Sequence, residues 1–129
     1  MIKPRILVTG ATGKTGSVVV SELLKAGYPV RAMVRREDGR GASLKAQGAE
    51  LAVAEMTDVE RIADALKGVQ RAYYCPPFDP HMIQGAVAFA VAASAAQLEH
   101  IVGLTQWLAS PSHPSLMTRQ HWLVDRLSR

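Results

Sequence analysis

The sequence has one cysteine, Cys75, in 129 residues, so neither an internal disulfide nor a cysteine-ligated metal cluster can form. This agrees with a reducing cytoplasm, the expected location. Aromatic residues make up only 5%, and none is interleaved among the basic side chains as a base-stacking platform would require. Nucleic acid is not an expected partner. The longest apolar tract, IQGAVAFAVAASAAQL over residues 83–98, is too short and too rich in alanine to cross a bilayer. It reads as a buried helix, and no membrane association is expected. Residues 1–4 lead straight into the first apolar segment, without the three regions of a signal peptide, so export is not expected. His81, His100 and His113 show no ligand spacing, and no metal site is expected.

What remains is an ordinary globular composition, 48% hydrophobic and 20% charged, in a chain of one-domain length. Its charge is uneven. Through residue 46 there are nine Lys/Arg against three Asp/Glu, and afterwards six against eight. The first third therefore carries a positive field, suited to an anionic ligand or to a solvated face.

Strand-like and helix-like segments alternate along the chain. RILVT (5–9) is a short apolar run ahead of glycines, and Val19, Val20, Leu23 and Leu24 then recur at helical spacing up to Gly27. A second strand is expected near residues 30–34, with a polar loop and a short helix after it. The unit then repeats. Strands are predicted over 50–55, 71–75 and 100–105, separated by helices over 58–68, with Ile62, Ala65 and Leu66 inward, and over 81–98. A last helix is expected from Ser115, its apolar positions Leu116, Trp122, Leu123 and Leu127. Five such alternations call for a parallel sheet with helices on both faces, the doubly wound α/β layout, spanning residues 1–129 as one dinucleotide-binding domain. Short, continuously apolar strands suit a sheet buried on both faces.

The stretch VTGATGKTG (8–16) admits two phosphate-binding readings. As a nucleoside triphosphate loop it ends correctly in Gly13, Lys14 and Thr15, but the glycine required five residues before Gly13 is Val8. A nucleotide hydrolase also needs a strand ending in a magnesium-binding acid, and LAVAE (51–55) is the nearest match. Glycines three apart, Gly10, Gly13 and Gly16, suit the dinucleotide turn better: a sharp turn, a close approach to pyrophosphate, and close helix packing. Amides from about Thr12 to Thr15, including that of Lys14, would then face the diphosphate with the helix dipole behind them.

After the second strand stand Arg35 and Arg36, where an acid would bind ribose hydroxyls and arginine suits a 2'-phosphate. Two guanidinium groups, with Lys14 from the glycine loop, suit a dianion, so NADP(H) is expected ahead of NAD(H). Glu37 and Asp38 fall one or two residues too late to supply the acid.

The run ILVTGATGKTGSVVVSELLKAGYPVRAMVRR, with AEMTD, YYCPP and GLTQWLASPSHPSLMTRQHWLVDRL, resembles the NmrA-like family of atypical short-chain dehydrogenase/reductase proteins. The resemblance covers essentially the whole chain and implies a Rossmann fold that is truncated here, its smaller substrate lobe absent. It implies that Glu55 and Met56 after the third strand, and Pro76 and Pro77 after the fourth, line the adenine and nicotinamide halves of the cofactor. The family usually has aspartate where Glu55 stands. The wider superfamily's catalytic pair, a tyrosine with a lysine four residues on, is missing: Tyr28, Tyr73 and Tyr74 are followed at that distance by Ala32, Pro77 and Phe78. Thr105 occupies the place of a helper hydroxyl, while Met117 and His121 stand where Tyr and Lys would, and His121 reads as a structural helix histidine ahead of a weak acid.

The expectation is an NADP-dependent oxidoreductase passing hydride to a small quinone-like acceptor. A non-catalytic NADP sensor acting on a regulated protein partner is the alternative, and a nucleotide hydrolase the remote one. An edge left open after the fifth strand, with Trp107 and Trp122 near it, points to a homodimer or a missing partner segment.

Overall fold

The structure is a computed structural model and describes residues 3–75 and 82–103. Its elements alternate as β1 (Ile6–Val8), α1 (Lys14–Lys25), β2 (Val30–Val34), α2 (Gly39–Ala46), β3 (Glu50–Val53), α3 (Val59–Ala65), β4 (Arg71–Tyr74), α4 (Met82–Ala96) and β5 (His100–Gly103). The expected last helix, with Trp107 and Trp122, lies outside the described residues.

The five strands form one sheet in the order β3-β2-β1-β4-β5, every neighbouring pair parallel. The expected doubly wound α/β fold is therefore present. Because side chains alternate across a strand, one face takes Ile6, Val8, Val30, Ala32 and Val34 and packs under Val20 of α1 and Leu44 of α2. The other takes Leu7, Met33, Ala72 and Tyr74 under Ile62 of α3 and Phe89 of α4. The chain changes direction between β1 and β4, so the carboxyl ends of these two strands open a crevice.

Helix α4 is built from small residues. Gly85, Ala86, Ala88, Ala92 and Ala93 are buried, which lets the helix lie close to the sheet while Phe89 stacks on Tyr74 with ring centroids 4.6 Å apart. Among the described residues no helix is long and apolar enough to cross a membrane.

Two expectations need correction. Burial on both faces holds for β1 and β2, buried at every position, but not for β3 and β5. These are the edge strands, and Val53 and Val102 are exposed. The solvated basic face of the first third is also smaller than its Lys/Arg count, because Arg31, the second residue of β2, is buried. Its Nη1 donates to the carbonyls of Ala65 and Lys67, each at 2.6 Å, and its Nε to Glu50 Oε1 at 3.1 Å. The guanidinium thus caps the carboxyl end of α3, where the helix dipole favours a cation.

Candidate functional site

At the carboxyl end of β1 the backbone turns at Gly10 with φ +60°, a left-handed conformation that side chains disfavour. The Gly13 amide then donates to the Gly10 carbonyl at 3.0 Å and closes the turn. Helix α1 follows so closely that a Cβ at Gly16 would stand 2.1 Å from the Gly10 oxygen. Only glycine fits there, as close helix-to-strand packing demands.

The start of α1 differs from those of α2 and α3. Asp38 caps α2 by accepting from the amides of Arg40 and Gly41, and Asp58 caps α3 by accepting from that of Arg61. At α1 the N-cap is Gly13, no side chain caps it, and the first turn holds no acid. The first helical bond runs from Ser17 to Gly13, so the amides of Lys14, Thr15 and Gly16 are donors without a partner within the helix. Thr12 is half-buried beside them, while Gly13, Lys14 and Thr15 are exposed. The result is a concave run of donors at the positive end of a helix, with a cationic side chain at its first position. It suits a diphosphate.

Val8, which a triphosphate loop would need as glycine, is fully buried within β1.

Across the crevice, β4 ends beside the glycine turn. Buried Thr9 accepts the Cys75 amide on its Oγ1 at 2.8 Å, and its hydroxyl donates to the Cys75 carbonyl at 3.4 Å. One side chain thereby fastens the turn after β4 to the turn after β1. The sequence reading missed Thr9, whose only signal was a hydroxyl residue closing an apolar strand ahead of glycine. Cys75 packs against Gly10, and burial pushes its thiol pKa up, opposite to an activated nucleophile. Pro76, Pro77, Thr105, Met117 and His121 lie outside the described residues.

The parallel register carries β2 and β3 to the same end of the sheet. Arg35 and Arg36 follow β2 as exposed side chains, and Glu55 and Met56 follow β3. Glu55 is not free there: its Oε2 lies 3.9 Å from Arg35 Nε. Met56 is half-buried and packs against the core under α3 and α4. Asp38 accepts from the Gly41 amide, which does most to hold its carboxyl below the usual range, with the Arg40 amide and guanidinium adding to it. Its carboxylate is engaged in capping α2. Among the described residues no group of acidic, histidine or cysteine side chains could hold a metal ion.

The comparisons agree with this geometry. The model of the NmrA-like family matches residues 2–110. The NAD(P)H azoreductase of Xenophilus azovorans is 34% identical over 120 residues, which is 93% of this chain and 41% of that protein. The Citrobacter sp. triphenylmethane reductase, in a crystal structure complexed with NADP(H), superimposes with a TM-score of 0.81 at 26% identity, over 96% of this chain and 45% of that one. The NADPH-dependent quinone oxidoreductase QOR2 of Escherichia coli, complexed with NADPH, gives 0.81 at 25% identity, over 95% and 44%. The chain thus spans less than half the length of these relatives. A matching family model over most of the chain, a five-stranded doubly wound sheet and a glycine turn ahead of an uncapped helix lead to one conclusion: the chain belongs to the NmrA-like family.

Proposed function

We propose that the chain is a dinucleotide-binding domain that takes NADP(H) in the crevice at the carboxyl ends of β1, β2 and β4, and serves hydride transfer to a small quinone-like acceptor. The uncapped start of α1 carries this reading, because its donors face outward at the positive end of a helix and no side chain of the turn occupies them. Gly10, Thr12, Gly13, Lys14, Thr15 and Gly16 hold the diphosphate. Arg35 and Arg36 take the 2'-phosphate through charge-assisted bonds, Glu55 and Met56 border the adenosine, and Pro76 and Pro77 the nicotinamide half. The bound cofactor supplies the hydride. The protein's part is to fix the diphosphate on the amides of α1 and to hold the β4 turn against it through Thr9. The relatives described above include reductases named for dyes and quinones, which supports an acceptor of that kind.

A second reading, an NADP sensor acting on a protein partner, is favoured by the absence of a Tyr-x-x-x-Lys pair anywhere in the sequence. Quinone reduction can proceed without a dedicated phenolic acid, so the missing pair leaves the oxidoreductase standing. NADPH oxidation with a panel of quinones separates the two: turnover supports the enzyme, binding without turnover the sensor. The cofactor assignment is tested by calorimetric titration with NADPH and NADH, before and after replacing Arg35 and Arg36 together by alanine. Loss of NADPH preference in the double variant is expected, and an unchanged preference refutes the arginine role. A homodimer is part of this reading, since β5 is an edge of the sheet among the described residues, and a monodisperse monomer in light scattering would contradict it.

A further inference from the structure

We infer that Glu55 is a specificity-determining residue: its carboxylate competes with the cofactor's 2'-phosphate for Arg35 and holds down the preference for NADPH over NADH. The inference rests on the dinucleotide reading and adds to it a residue that works against phosphate binding.

The pairing is set by the sheet. Val34 of β2 lies opposite Val53 of β3, and one further ladder bond, from the Ala54 amide to the Val34 carbonyl at 2.9 Å, carries the register past the ends of both strands. By that register Arg35 stands opposite Ala54 and Glu55 follows one residue further along, so the two side chains leave adjacent strand ends within one residue of each other. Their separation of 3.9 Å is at the outer limit of an ion pair, and both side chains are about two-thirds exposed. Such a pair is weak and easily opened. Glu55 can therefore accompany Arg35 in the free protein and yield it to a ligand.

The nearby acids divide by role. Asp38 is engaged in the cap of α2 and with Arg40, whereas Glu55 faces Arg35 from the neighbouring strand. Arg36 makes no ion pair among the described residues and is available to a phosphate in full. A 2'-phosphate dianion reaching Arg35 must displace Glu55 or lie beside it, and either event weakens binding through lost attraction or like-charge repulsion. A 2'-hydroxyl meets no such penalty, since a carboxylate accepts hydrogen bonds from ribose. The arginines alone would make the site strongly selective for NADPH. With Glu55 beside them, NADH stays within reach.

The test is a set of dissociation constants for NADPH and NADH, measured by calorimetry on the parent, Glu55→Gln, Arg35→Ala and the double variant, at low and high salt. Glu55→Gln is expected to tighten NADPH about three- to five-fold at low salt, leave NADH unchanged or weaker, and lose most of the gain at ~0.5 M salt, where exposed charges are screened. The gain should vanish when Arg35 is already alanine. A parent that binds NADPH while Glu55→Gln leaves its preference unaltered overturns this inference alone, as does a gain of equal size without Arg35. A parent that binds neither nucleotide overturns the dinucleotide reading and this inference with it.

Discussion

A methyl group on Gly16 would stand 2.1 Å from the Gly10 carbonyl oxygen, 2.7 Å from the Gly10 carbonyl carbon and 3.0 Å from the Ala11 Cα. All three are backbone atoms, so no side chain can rotate away. To reach an ordinary contact the first turn of α1 must move from the glycine loop by roughly 1 Å or more. Two effects follow from that one displacement. Val20, fully buried against β1 and β2, loses its seat, and overpacking of this kind costs about 2–3 kcal/mol. For a domain of this size that corresponds to a melting temperature lower by about 8–12 °C. The amides of Lys14 and Thr15 also shift relative to the Gly10 turn, and NADPH affinity should fall about tenfold or more, since such sites tolerate only about 0.5 Å. Gly39→Ala is the control: it opens α2, nothing lies within 4 Å of its would-be Cβ, and alanine there should be neutral or stabilise by ~0.5 kcal/mol. Calorimetric unfolding and NADPH titration of the three proteins decide the matter. A Gly16→Ala protein that melts within about 1 °C of the parent and binds NADPH equally would refute the close-packing argument.

Three other expectations follow from the described side chains. Arg31→Met keeps the buried stem but leaves the Ala65 and Lys67 carbonyls without their donor, and should cost about 2–4 kcal/mol in urea unfolding; equal stability would show that the guanidinium's burial offsets its bonds. Removing the α2 cap with Asp38→Ala should destabilise the protein at neutral pH. Because the folded carboxyl titrates below its ordinary 3.8, the difference from the parent should persist down to about that pH and disappear on further acidification, and a difference insensitive to acid would mean that the carboxylate is not the cap. Cys75 should react with iodoacetamide more slowly in the folded than in the unfolded protein at pH 8, since burial raises its thiol pKa above 9.0; faster labelling when folded would contradict this.

Much of the fold was legible because it rests on local requirements. Gly10 and Gly16 answer to a turn and a close approach within a few residues of each other, and the helix stripes of Val20 and Ile62 repeat at a period the sequence displays. The misreadings have a different origin. Arg31 was counted with the surface charge, since a charge count is blind to which face of a strand a residue occupies; its partners on α3 lie 34 and 36 residues away. Thr9 reaches Cys75 across 66 residues because β4, fourth in sequence, lies beside β1. The strand order decides such contacts, and a periodicity does not contain it. The same holds at the cofactor end, where Arg35 and Arg36 taken by themselves argue for a phosphate. Only the packing of β3 beside β2 brings the Glu55 carboxylate to Arg35, so the selectivity proposed for this site rests on two strands and not on the arginine pair alone.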